Sequence, residues 1–211
     1  MSGPAGESRQ KHLPQFSVSP LFALWGVLPW LTGRGWPLLF LAAALLHEGG
    51  HLLALYLLGG KAEAVRLRLS GAELRWRGRL SYGGEALLAL AGPGANLLWA
   101  LLCAALTRLQ PAPGLYRFIG CHLTLALFNL LPALPLDGGR ILCALLERRF
   151  PLHAAWATEL FGGAVGAALT LLGLWTLYTG GNCTLLAAGG VILCRLTRHF
   201  SGQGLYTRRK S

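Results

Sequence analysis

Two histidines and a glutamate stand together inside an apolar run, Leu45-Leu46-His47-Glu48-Gly49-Gly50-His51-Leu52-Leu53. The pattern is H-E-x-x-H. On a helix, positions i and i+4 share a face, so the imidazoles of His47 and His51 can meet one metal ion. Glu48 is placed to act as general base on a water at that ion. The surroundings sharpen the reading, because two histidines and a carboxylate in apolar sequence are costly unless they pair or coordinate. The competing reading is a buried polar cluster that joins helices.

A hydrolytic zinc site needs a third protein ligand and an open position. Asp137 is the only acid between Glu85 and Glu147, and it ends the apolar run from Phe128 to Leu136. Gly138 and Gly139 follow it and allow close backbone approach. His122 is the rival. It precedes Asp137 by 15 positions, about 22 Å along a straight helix. That places it toward the opposite membrane face and favours a structural role for it.

These residues need elements to carry them, and composition says which. Of 211 residues, 54% are hydrophobic and only 13% are charged, with a mean hydropathy of +0.50. A soluble domain has about 25% charged residues. The apolar residues fall in blocks at 16–31, 36–58, 85–107, 115–146, 153–178 and 183–196. A membrane helix needs about 20 residues. The fourth block is broken by Pro132 and Pro135, and irregular backbone at membrane depth is tolerated only where it faces protein or a wet cavity. The expected class is an all-α polytopic membrane protein with about six transmembrane helices.

The net charge is +11. Nucleic-acid binding is not expected, since the Lys and Arg residues lie between apolar blocks and at the tail. With six spans and an inner N-terminus, every one except Arg34, Arg108 and Arg117 falls on the inner side, as the positive-inside rule asks. Residues 64–82 should hold a small β-hairpin: Ala64-Val65-Arg66-Leu67-Arg68-Leu69 and Leu74-Arg75-Trp76-Arg77 alternate around Ser70-Gly71. It reads as a membrane-surface hairpin or as an edge strand for an extended substrate. The five cysteines (103, 121, 143, 183 and 194) form no CxxC pair and read as small buried hydrophobes. No cleavable leader is expected. Residues 1–15 read as a polar tail, 16–200 as one domain and 201–211 as a basic cytosolic tail.

Three stretches, His47-Glu48-Gly49-Gly50-His51, Ala91-Gly92-Pro93-Gly94-Ala95-Asn96 and Asn129-Leu130-Leu131-Pro132-Ala133-Leu134-Pro135-Leu136-Asp137-Gly138-Gly139, occur in the order found in site-2 proteases. The sequence resembles these intramembrane zinc metalloproteases over roughly residues 16–200. Its wording is most similar to the stage IV sporulation protease group, which removes the pro-sequence of a sigma factor. The resemblance implies peptide hydrolysis within or at the edge of the bilayer. It implies one Zn2+ per chain on His47, His51 and Asp137, with Glu48 activating water. Asn129 would help hold the substrate backbone or the oxyanion, although taken alone it could equally bond across helices. Asn96 would brace helix packing beside the site. The expected partners are a membrane-associated or transmembrane protein substrate and the lipid bilayer, in a bacterial cell membrane with both termini cytosolic.

Two departures stand out. The family commonly has a bulky residue after the glutamate, whereas Gly49-Gly50 stands here, which predicts a tightly apposed neighbour. No PDZ or cytosolic regulatory domain is expected within the chain. A catalytically inactive membrane scaffold of the same fold, and an ion-handling transporter, are the competing functions. The absence of an internal repeat speaks against the transporter.

Overall fold

Helix α1 (Trp36–Leu57) opens with Pro37 in its first turn, where a missing N–H leaves no bond unmade. It closes at Gly59, whose φ of 73° lets Gly60 N–H reach back to the Leu55 carbonyl at 2.9 Å, a Schellman-type stop. A computed structural model describes residues 15–18, 36–68, 71–77, 80–181 and 183–200. After α1 come strands β2 (Lys61–Arg68) and β3 (Gly71–Arg77), then α2 (Tyr82–Thr107). Ser81 caps α2 by accepting from Gly84 N–H at 3.1 Å, with Glu85 in the first turn complementing the helix dipole. The remaining helices are α3 (Pro113–Asn129), α4 (Asp137–Arg149), α5 (Ala154–Tyr178) and α6 (Thr184–Phe200).

The strands β2 and β3 pair antiparallel, with a register shift between Ala62 and Ala64. Strand β1 (Gln15–Val18) lies parallel to β2, with Gln15 opposite Ala64, so the sheet order is β1-β2-β3. The α2 helix is central: it packs against α1, α3 and α4, while α5 leans on α4 and carries α6.

This corrects the expected class, an all-α protein of about six transmembrane helices with a small β-hairpin after the second span: the strands form a three-stranded sheet. Among the described residues three helices are long and apolar enough to cross a membrane: Pro37–Leu57, Tyr82–Thr107 and Ala154–Tyr178. The block at 16–31 begins not as a helix but as β1. A short apolar run does not distinguish strand from helix, and Gln-Phe-Ser-Val alternates like a strand. The rest of that block lies outside the described residues, as do the tails at 1–14 and 201–211. The block at 115–146 is two helices of 17 and 13 residues, each below the roughly 20 needed to span. The last helix, α6, has a short apolar stretch, Thr184–Leu196.

Burial runs opposite to that of a soluble protein. The buried set contains His47, His51, Asn96, His122, Asp137 and Thr158 among mostly small residues, while Leu53, Leu101, Leu127, Leu171 and Trp175 are all at least 60% exposed. Polar residues inside and large apolar ones outside suit a lipid surround, and the chain is a membrane protein. Of the cysteines, Cys103 and Cys143 are buried as expected; Cys183 and Cys194 are exposed, and all five are free.

The glycine pair after Glu48 divides. A Cβ on Gly50 would lie 2.6 Å from the Ala91 oxygen and 2.7 Å from the Ala95 Cβ, so α1 and α2 touch there through backbone. Gly49 has no such neighbour within 4 Å among the described residues, and the predicted close apposition belongs to Gly50 alone. Gly50→Ala is expected to cost about 1–3 kcal/mol by overpacking. Gly49→Ala should instead be neutral or add up to about 1 kcal/mol from helix propensity. Melting temperatures of the two variants in one detergent check this; equal losses would mean that the two positions pack alike.

Candidate metal centre

The α1 helix places His47 and His51 one turn apart on the face turned to α2, where both are 5% exposed. That face is open only because position 92 has no side chain: a Cβ on Gly92 would collide with Nε2 of His51 and lie 2.7 Å from Nε2 of His47. The irregular segment between α3 and α4 delivers the third residue. Leu130 closes α3 onto the Ala126 carbonyl, and Ala133 and Leu136 donate back within the segment at 2.8 Å to Leu131 and Ala133. This brings the start of α4 against the loop's own backbone. A Cβ on Gly138 would meet the Leu130 carbonyl oxygen, and one on Gly139 would stand 2.5 Å from the Ala133 carbonyl carbon. Both glycines of Asp-Gly-Gly are thus required by close approach.

Three atoms converge. His47 Nε2 lies 3.1 Å from Asp137 Oδ2, His51 Nε2 lies 3.3 Å from the same oxygen, and the two nitrogens are 3.2 Å apart. Ligand atoms around a tetrahedral zinc, with bonds of about 2.0–2.1 Å, stand about 3.3 Å from one another. The triangle therefore has the edge lengths of three corners of such a site, and two imidazoles with one carboxylate are a donor set that zinc accepts. Among the described residues this is the one cluster of His, Cys, Asp or Glu that could hold a metal ion.

Outer partners fix each member. His51 Nδ1–H donates to the Leu88 carbonyl at 2.8 Å, which leaves its Nε2 lone pair facing the cluster. The free oxygen of Asp137, Oδ1, accepts from Arg140 at 3.3 Å, so Oδ2 alone points inward. Asn96, fully buried on α2, bonds His47 Nδ1 at 3.0 Å and, through its other end, His122 Nδ1 at 2.9 Å.

Glu48 is half-buried, one position past His47. Asn129, at the end of α3, donates its amide to the Leu125 carbonyl at 3.0 Å in its own helix and is not among the converging atoms. His122 is not far from the cluster, as a straight helix would have it. The chain turns after Asn129, and His122 stands one asparagine away from His47. Sequence reading passed over Asn96 and Arg140 as partners of the ligands. An asparagine in the middle of an apolar span is itself a signal, since it must find a bond there.

Gly92→Ala is expected to push both imidazoles out of register and to lower zinc affinity by about tenfold to a hundredfold, the 1–3 kcal/mol scale of an overpacked site. Equilibrium titration with a competing chelator measures it; wild-type affinity would show that the cradle yields.

The family model for peptidase family M50 matches residues 108–173, which include the Asp137 stretch but not His47–His51. Among curated proteins the chain is similar to Rip3 of Mycobacterium tuberculosis, provisionally named a zinc metalloprotease: 33% identical over 172 residues, 74% of this chain and 42% of that protein. It is also similar to the zinc metalloprotease MJ0392 of Methanocaldococcus jannaschii, 28% identical over 148 residues, 66% of this chain and 43% of that one. The chain spans less than half the length of these relatives. The fold matches the solved site-2 protease of Methanocaldococcus jannaschii with a TM-score of 0.65 at 24% identity, over 83% of this chain and 85% of that one. Family model, relatives and fold point the same way: the chain is similar to peptidase family M50 over residues 108–173 and shares the fold of a solved site-2 protease.

Proposed function

We propose that the chain is a zinc-dependent metalloendopeptidase that hydrolyses peptide bonds of membrane-associated or transmembrane substrates. The observation that carries this reading is the convergence of His47 Nε2, His51 Nε2 and Asp137 Oδ2 within 3.3 Å of one another, one residue from a glutamate, inside a protein with an apolar exterior. Zinc held by these three residues would supply Lewis-acid polarisation of the scissile carbonyl. Glu48 takes the proton of the attacking water and delivers it to the leaving amine. The Leu88 carbonyl, Asn96 and Arg140 hold the three ligand side chains in place. Beside its bond to the Leu125 carbonyl, the Asn129 amide has a second N–H and its oxygen to offer a substrate. A helical substrate must also unwind, because its peptide bonds are hidden in the helix. Arg140, Arg148, Arg149 and Arg195 support a cytosolic position for the α4–α5 connection and the end of α6, and with it a multi-pass insertion with cytosolic termini.

The test is cleavage in proteoliposomes by purified, zinc-loaded protein, read by mass spectrometry. The panel would hold single-span peptides with helix-breaking residues, together with a membrane-tethered sigma-factor pro-sequence, the substrate that the likeness to stage IV sporulation proteases suggests. Cleavage that stops on chelation and returns with zinc is expected. Bound zinc with no cleavage across the panel would favour the inactive scaffold.

A further inference from the structure

The three-stranded sheet sorts its residues by character. Strand register puts Phe16 and Val18 of β1, Val65 and Leu67 of β2, and Ala72 and Leu74 of β3 in paired rows on one face. The period of two adds Trp76 to them, and no charged residue belongs to that face. The other face holds Gln15 and Ser17 of β1 beside Arg66, Arg68, Arg75 and Arg77, with Lys61 paired to Arg77 and Glu73 opposite Arg66. Five cations stand there against one acid. Glu63 falls at the register shift between Ala62 and Ala64.

The chain bounds where this sheet can lie. It hangs between α1 and α2, both long and apolar enough to cross a membrane. Three residues (58–60) separate it from the first and four (78–81) from the second. An extended chain covers about 3.6 Å per residue at most, so each end of the sheet stays within about 18 Å of a helix end. Tyr56, 78% exposed, and Tyr82 stand at those two helix ends, and tyrosine gathers at the membrane–water boundary. The sheet makes its main contact with the described helices through β2 and the end of α1, so the helix bundle does not take up the apolar face. Depth is limited as well. Among the described residues β1 and β3 are the outer strands, and open sheet edges do not occur in hydrocarbon. An apolar face beside lipid, edges that need water and cations on the far face together define an interfacial position.

We propose that the β1–β2–β3 sheet is an interfacial anchor for anionic phospholipid, with its apolar face against acyl chains and its arginine face bound to headgroup phosphates. Guanidinium groups match phosphate in a bidentate way, and a basic cluster immediately beside a membrane helix gathers acidic lipid. The positive-inside rule puts this connection on the same side as the α4–α5 turn. That turn repeats the combination on a small scale: Arg148 and Arg149 are exposed, Arg149 lies over the Phe150 ring at 5.6 Å, and Leu152 is exposed beside them. An acidic protein segment is the other ligand that arginines could take, but it leaves the opposite, apolar face without a partner. The proposal rests on membrane insertion and not on the metal centre, so it stands or falls apart from the metalloprotease reading.

The measurement is quenching of tryptophan fluorescence by brominated lipid, with the full chain in nanodiscs of equal parts phosphatidylglycerol and phosphatidylcholine. Only one of the two lipids carries bromine, near the headgroup end of its chains, so the membrane composition never changes. The difference between wild type and Trp76→Phe isolates Trp76 among the seven tryptophans. Trp76 should be quenched by both, and about twofold or more strongly when phosphatidylglycerol carries the bromine, as enrichment of acidic lipid by several arginines requires. The preference should shrink at about 1 M salt, where the Debye length is about 3 Å. Changing Arg66, Arg68, Arg75 and Arg77 together to Gln should abolish it while Trp76 stays quenched by both lipids, which shows the sheet still in place. The same four changes to Lys should keep most of it. Trp76 untouched by either lipid would mean that protein covers the apolar face. Equal quenching in the wild type would mean membrane contact without recognition of charge. A preference that survives in the glutamine variant would put the lipid site elsewhere. Each of these three results overturns the proposal.

Discussion

Asp137→Ala is expected to empty the metal centre. Purified wild-type protein should carry about one zinc per chain, and the variant close to none after dialysis against a weak chelator. Zinc bound by protein ligands is worth about 10–16 kcal/mol in small domains, so one of three ligands accounts for several kcal/mol and an affinity loss on the order of a thousandfold or more. The geometry makes the effect specific. Among the described residues, Asp137 Oδ2 is the only carboxylate oxygen at the convergence point, within 3.3 Å of both histidine nitrogens, and its other oxygen is already engaged with Arg140. His122→Ala removes a histidine of similar burial that is not at that point, and it should retain most of its zinc. Zinc kept by Asp137→Ala but lost from His122→Ala would mean that the third ligand has been misassigned.

Glu48→Gln is expected to leave the metal and remove the reaction. The substitution keeps shape and hydrogen-bonding capacity while deleting the basic oxygen. Zinc content should stay at the wild-type level, because Glu48 is outside the converging trio. Cleavage should fall by about 10^2- to 10^4-fold, the usual contribution of a positioned general base. Metal analysis and cleavage of the same preparation decide the matter. Undiminished cleavage would transfer the role to another group; lost zinc would make Glu48 a ligand or a structural support instead.

The centre was more legible in the sequence than the architecture around it. His47 and His51 announced themselves through i, i+4 spacing, which is a property of any helix and needs no tertiary knowledge. Asp137 could be singled out because acids are so scarce between Glu85 and Glu147. Its distance from His122 could not be judged, since the estimate assumed a straight helix through Pro132 and Pro135, and the chain instead turns between α3 and α4. Span counting failed for a related reason. Hydropathy measures how apolar a block is, and the blocks at 16–31 and 115–146 are apolar enough. It does not report that Gln15–Val18 enters a sheet or that a loop divides the other block into helices of 17 and 13 residues. The role of Asn129 rested on likeness alone, and the structure shows its amide engaged within its own helix.

His47 and Asp137 are 90 positions apart in the chain. A growing polypeptide therefore displays its two histidines long before the third ligand has been made, and it holds no three-ligand site until α4 has docked on α2. The order of the sequence by itself keeps the site incomplete during synthesis. Once α4 is home, a metal ion becomes a cross-link between the first helix and the fourth. It should slow the parting of those helices, as a ligand that binds only the finished fold must. Docking of α4 and acquisition of the metal would then be a single event, and a chain that stalls before α4 lacks the third ligand.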